Sequence, residues 1–127
     1  MKRGIVATVT AAAALVLTMG TTGPAQAAAF IKVNSDNGCA QLRFYTKGEH
    51  LYLEDTCRDG RSAVAFIKRT GNTGGGSPHL ENRGYGKIGH WNKDWPEGRR
   101  VDFMVCTLKG RDFEDAYYCN SRNNVVV

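Results

Sequence analysis

The sequence predicts an all-β domain: a small antiparallel β-sandwich, or barrel, of about seven short strands held by two disulfides. Three observations predict it. Short segments alternate apolar and polar residues between Gly-, Asn- and Asp-rich turns; no stretch beyond residue 27 keeps 3.6-residue periodicity over two turns; and four cysteines fall symmetrically about two candidate turns. A length of 127 residues, 42% hydrophobic and 23% charged, fits one globular domain and excludes a disordered chain.

At the start of the chain, Lys2 and Arg3, the apolar stretch Ile5 to Met19, and Ala25-Gln26-Ala27 after Gly23-Pro24 read as a secretory signal peptide over residues 1–27 with an A-x-A cleavage site. The stretch is shorter than the roughly 20 apolar residues that span a bilayer. No Arg pair and no nearby Cys points to a twin-arginine route or a lipid anchor. Cleavage after Ala27 takes Lys2 and Arg3 from the 17 basic residues and leaves 15 against 12 acidic, a net +3 on a single domain of residues 28–127. The mature protein is expected outside the cell, monomeric, and not inserted in a membrane.

Export turns the cysteines into a disulfide framework. Their spacings of 18, 49 and 13 contain no close pair of the kind zinc sites use, so no metal or other cofactor is expected. Phe30-Ile31-Lys32-Val33 alternates as a first strand. Cys39 and Cys57 are equidistant from Gly48, and Lys47-Gly48-Glu49 reads as a three-residue hairpin loop with Gly at positive φ. Cys106 and Cys119 are symmetric about Asp112-Phe113. Opposed residues in such ribbons lie within disulfide reach, which predicts Cys39–Cys57 and Cys106–Cys119. One conflict stands: with Cys39 opposite Cys57, Leu42 and Phe44 share a face with Tyr52 and Glu54, while Leu51 and Leu53 point the other way. Either a register shift between turn and disulfide or a strand pair covered on both faces resolves it.

Ser62 to Arg69 is a nearly continuous apolar run suited to a central strand. Thr70 to Arg83, with four Gly and a Pro, reads as a long flexible connection and not as a phosphate-cradling loop, because no Gly-Lys-Ser/Thr closes it. Gly84 to Trp91 is a weaker strand, Val101-Phe103-Val105 alternates, Glu114 to Asn120 returns after the last turn, and Val125 to Val127 is an edge. Asp55 to Gly60 carries acids at its first and fifth positions, but Cys57 stands where a calcium loop needs oxygen; it reads as an Asp-Gly turn.

The order of that hairpin, Asp59-Gly60-Arg61-Ser62-Ala63-Val64, Asn82-Arg83-Gly84-Tyr85-Gly86, Pro96-Glu97-Gly98 and a strand ending at Cys106 resembles small secreted actinobacterial β-proteins of uncharacterised function. The resemblance covers about residues 50–120. It implies a fold and carries no activity.

The clearest constellation is Arg83 to Arg100. Arg83, Lys87, Lys93, Arg99 and Arg100 outnumber Asp94 and Glu97, with Tyr85, His90, Trp91 and Trp95 interleaved. Aromatic faces stack on sugar rings or bases, and cations hold phosphate or carboxylate. Arg83, Tyr85, Lys87, Trp91, Trp95, Arg99 and Arg100 are therefore the candidate binding residues for an anionic polymer of the cell wall or environment, by a non-catalytic module. The competing role for the tryptophans is core packing. Two alternatives remain open. One is an inhibitor of another extracellular protein, presenting the Gly-rich loop around Pro78. The other is a small secreted ribonuclease-like hydrolase using Glu54, His90 and Arg99. No motif fixes the spacing of those three, and the sequence supports catalysis less than binding.

Overall fold

Period-two alternation is realised in eight strands in the computed structural model, which describes residues 30–127. The signal peptide expected over residues 1–27 lies outside the described residues. The strands are β1 (Phe30–Asn34), β2 (Ala40–Tyr45), β3 (His50–Asp55), β4 (Ser62–Arg69), β5 (Ser77–Glu81), β6 (Ile88–Asn92), β7 (Arg100–Leu108) and β8 (Ala116–Val126). They form two four-stranded sheets, β1-β2-β3-β6 and β5-β4-β7-β8, with every pair antiparallel. Helix is confined, among the described residues, to one 3-10 turn, Phe113–Asp115. No helix among them is long and apolar enough to cross a membrane.

The core lies between the sheets. Ile31, Val33, Leu42, Phe44, Leu51 and Leu53 of the first sheet meet Ala63, Ala65, Ile67, Val101, Phe103 and Val105 of the second. Phe44 and Phe103 touch at its centre, 5.4 Å between ring centroids. Fully burying such a side chain stabilises the fold by about 1.5–3 kcal/mol, which makes this alternation the dominant determinant of which face turns inward. A smaller apolar cluster, Val64, Cys106 and Leu108, sits on the opposite face of the second sheet.

Both disulfides close within their own ribbons, Cys39–Cys57 with 4.8 Å between Cα atoms and Cys106–Cys119 with 4.1 Å. The first hairpin resolves its conflict by a register shift. Tyr45 pairs with His50, so the connection is the four-residue Thr46–Glu49 turn, one residue longer than expected, with Gly48 at φ 79°. Leu42 then faces Leu53 and Phe44 faces Leu51, all four fully buried. Cys39 and Cys57 bond just beyond the strand ends, where the ladder no longer dictates register. In the second ribbon Val105 pairs with Asn120 and Thr107 with Tyr117, so Tyr118 and Cys119 oppose Cys106 in a bulge, with Tyr118 at φ 56°.

Three expectations are corrected. The connection Thr70 to Arg83 contains β5, which pairs with β4, so the glycine-rich loop itself ends at Gly76. Gly84 to Lys87 is a turn and only Ile88–Asn92 is strand. Glu114 to Asn120 and Val125–Val127 are not two separate strands: Ala116–Val126 runs as one strand, bent by a second bulge where Asp102 accepts the Asn124 backbone N–H at 2.8 Å.

Candidate anion-binding cleft

Strand β6 divides the sequence-predicted binding segment. Its first residue pairs with Glu54 and its last with His50, so the residues before β6 and those after it lie at opposite ends of the sandwich. At about 3.3 Å per residue, Lys87 and Lys93 are some 20 Å apart.

At the first end Arg83 is committed to structure. Its guanidinium holds the buried carboxylate of Glu81 at 2.7 Å and donates to the Ile88 carbonyl at 2.7 Å. That guanidinium, by hydrogen bond and charge, keeps Glu81 below the usual carboxylate range against the opposing effect of burial. Tyr85 is half exposed beneath Arg58, whose guanidinium lies 4.7 Å from the ring centroid. Lys87 is exposed beside them.

Trp91 turns inward opposite Leu51 and packs on the core. Its indole lies over Gly89, where an added Cβ would come within 2.5 Å of the ring, and meets His79 edge-on at 5.1 Å. It closes the gap between β5 and β6 and is no stacking platform. Trp95 also leans on the core, 5.5 Å from Phe44 and 6.4 Å from Phe103 between centroids, but its exposed side lines a cleft. Its backbone N–H is fixed by Glu49 Oε2 at 2.8 Å, and the Lys93 N–H by the Glu49 carbonyl at 2.9 Å, so the β2–β3 turn sets this wall.

The cleft, of about 300 Å³, is bounded by Trp95, Lys93, Arg99, His79, the end of β4 with Lys68 and Arg69, and the glycine-rich loop at Asn72, Thr73 and Gly76. The loop reaches it because Gly76, at φ 73°, passes so close to β4 that a Cβ would come 2.9 Å from the Ile67 carbonyl oxygen. Lys68 Nζ donates to the Asn72 and Gly74 carbonyls and ties the loop down. An adjoining hollow shares Arg69 and Arg99 and adds Arg100 and Glu97.

The charges are one-sided. Five cations, Lys68, Arg69, Lys93, Arg99 and Arg100, line the two hollows against the single carboxylate of Glu97, and none makes an ion pair among the described residues. Lys93 is half-buried and its ammonium meets His79 Nε2. An ammonium has only donors, so Nε2 accepts, and the Nδ1 proton is directed to the Ser77 carbonyl at 3.2 Å. Burial lowers the pKa of Lys93; burial, then the Lys93 charge, lowers that of His79. A desolvated cation whose neighbour is a neutral imidazole is stabilised by any anion that enters.

Four sequence-predicted residues thus separate from three. Trp95, Arg99 and Arg100 line the cleft, while Arg83, Tyr85 and Lys87 lie at the far end and Trp91 lies in the packing between. Lys68, Arg69 and His79 were missed because they belong to distant strands; the signal was the basic end of the β4 run beside a glycine-rich loop. Glu54, His90 and Arg99 are not brought together: Glu54 meets Arg43 at 3.7 Å on the outer side of the first sheet, whereas Arg99 lines the cleft. No group of three or more His, Cys, Asp or Glu able to hold a metal ion occurs among the described residues.

The class that fold and cleft define is a disulfide-stapled β-sandwich with an unneutralised basic hollow at one end. Compared with family models, curated proteins and solved structures, the chain matches none.

Proposed function

We propose that the protein is an exported, non-catalytic binding module that holds an anionic polymer in the cleft between the glycine-rich loop and the β6–β7 connection. One observation carries this reading: five cations converge there with no ion-pair partner among the described residues, three of them, Lys68, Lys93 and Arg99, half-buried. Unpaired positive charge on concave, partly desolvated walls focuses the field outward and attracts polyanions. Trp95 offers an apolar floor, with Lys93 Nζ 5.9 Å from its ring centroid, so a sugar ring and its acidic group have neighbouring partners. Export is supported by the signal-like residues 1–27 and by two disulfides, which persist in oxidising compartments.

The test is retention on a heparin-type resin at low ionic strength. The parent protein is retained and eluted by salt, and the double variant Arg99→Ala/Arg100→Ala, still folded by circular dichroism, elutes at clearly lower salt. Equal retention of parent and variant rejects the reading.

A further inference from the structure

The pairing of the first sheet assembles a second surface that no contiguous stretch of sequence displays. On its outer side the register places Phe30, Tyr45, His50 and Asn92 in one row, and Lys32, Arg43, Tyr52 and His90 in the next. Their rings form a continuous chain of contacts. Phe30 meets Tyr45 at 4.9 Å, Tyr45 meets Tyr52 edge-on at 5.8 Å, Tyr52 stacks on His90 at 4.5 Å with 7° between planes, and His90 meets His50 at 5.2 Å. Among the described residues no element covers this side. A shallow hollow of about 330 Å³ opens on it, lined by Arg43, Tyr45, Lys47, His50 and Tyr52.

Its charge is again positive. Glu54 is the one acid of this face and meets Arg43 at 3.7 Å, which leaves Lys32 and Lys47 without an ion pair among the described residues. Phe30 and His90 are exposed and Tyr45, His50 and Tyr52 half-buried. Contiguous solvent-facing aromatic surface of this kind on a small domain marks a binding site, and its surplus of cations selects an anionic occupant.

We propose that this outer face is a second binding surface, separate from the cleft, and that its occupant is an acidic oligosaccharide. At Tyr52 the geometry favours hydrogen-bonded sugar hydroxyls over a stacked nucleobase. A base needs a vacant ring face on which to stack. The Tyr52 ring is already occupied on both sides, by His90 at 4.5 Å and by the Arg43 guanidinium 5.8 Å from its centroid. What Tyr52 and the imidazoles offer is hydroxyl and ring nitrogen: a donor and acceptor array suited to sugar hydroxyls. His50 Nδ1 and His90 Nε2 are hydrogen-bonded to each other at 3.0 Å, so it is the other nitrogen of each ring that faces a ligand. The Phe30–Tyr45 pair supplies an apolar shelf for one pyranose face, and Lys47, at the lip of the hollow, is the unpaired cation for the carboxylate.

Three probes added to 15N-labelled protein test this: trigalacturonate, the neutral trisaccharide maltotriose, and the oligonucleotide dT6. Trigalacturonate shifts the amides of Tyr45, Lys47, His50 and Tyr52, and maltotriose does so far more weakly. Tyr52→Ala weakens trigalacturonate binding about tenfold. Lys47→Glu, in an exposed turn where it disturbs no packing, weakens it as well, which keeps the test valid if Tyr52→Ala does not fold. Arg99→Ala leaves these shifts in place. The proposal is overturned if dT6 alone moves these amides, if maltotriose binds as well as trigalacturonate, if Lys47→Glu binds normally, or if no probe moves them. It is also overturned if Arg99→Ala abolishes the shifts, since the surface is then not separate. Loss of resin retention in the cleft variant with no amide shifts on this face leaves the cleft reading standing and removes only this one.

Discussion

Gly89→Ala reads directly on how the edge between β5 and β6 is closed. A Cβ at this position lies 2.5 Å from Trp91 Cη2 and 2.9 Å from Cζ3. Carbon atoms at optimal separation are about 3.5–4.0 Å apart, so the indole must retreat by roughly 1 Å. It has little room, because His79 stands edge-on to it at 5.1 Å and its body packs on the core cluster. On the other side Glu81 Oε2 lies 3.1 Å from the new methyl, and that carboxylate is pinned by Arg83. Overpacking of this kind costs about 1–3 kcal/mol. Replacing Gly by Ala returns about 0.4–1 kcal/mol through the unfolded chain. At the middle of both ranges the steric cost wins, leaving a net loss of about 1.3 kcal/mol, and at roughly 4–8 °C per kcal/mol the Tm falls by about 5–10 °C. Thermal unfolding followed by circular dichroism measures it. The internal control is Gly75→Ala, where a Cβ meets nothing within 4 Å and the backbone is not left-handed; its Tm stays level or rises. Adding Trp91→Phe to Gly89→Ala makes room and costs less than the two single changes summed. An unchanged or raised Tm in Gly89→Ala alone refutes the account of Trp91 as a wedge against Gly89.

Two further outcomes are expected. Removing either disulfide by paired Cys→Ala changes loosens a loop and costs about 3 kcal/mol; the loss is larger for Cys106/Cys119 than for Cys39/Cys57, because Cys106 is fully buried against Val64 and Leu108, and equal or reversed Tm losses contradict this. His79 is held below its ordinary value of 6.5 by burial and then by Lys93, so the unfolded chain takes up its proton first and stability is lost as pH falls through that value. Lys93→Met removes one cause: the His79 midpoint, followed by NMR of the imidazole protons, moves upward and the acid loss shrinks, whereas a stationary midpoint disproves the Lys93–His79 contact.

What could be read along the chain was whatever local pattern encodes. Alternation placed Phe30 to Val33, the first hairpin and the strand through Val101 to Val105, and a nearly continuous apolar run placed Ser62 to Arg69. The symmetry of the cysteines about Gly48 and about Asp112-Phe113 gave both disulfides, because antiparallel folding about a turn fixes which residues meet. β5 escaped notice since Pro78 and His79 interrupt its alternation and the glycines before it dominate the local signal; pairing to β4 overrides both. The turn of the first hairpin was misjudged by one residue because local geometry admits either loop length, and only burial of Leu42, Phe44, Leu51 and Leu53 against the second sheet selects between them.

The sites depended still more on tertiary structure. Arg83 to Arg100 is one basic stretch on paper, yet β6 carries its halves to opposite ends, and Glu81, from another strand, takes Arg83 out of circulation. The cleft draws Lys68 and Arg69 from β4 and His79 from β5 to Lys93 and Arg99, and the aromatic face collects Phe30, Tyr45, Tyr52 and His90 from four strands. Sequence by itself determined a chain whose strands alternate and whose thiols pair across two turns, because those properties act between near neighbours. Which strands lie side by side is settled by the joint burial of both inner faces, a long-range condition, and only that arrangement decides where unpaired charge and open rings gather.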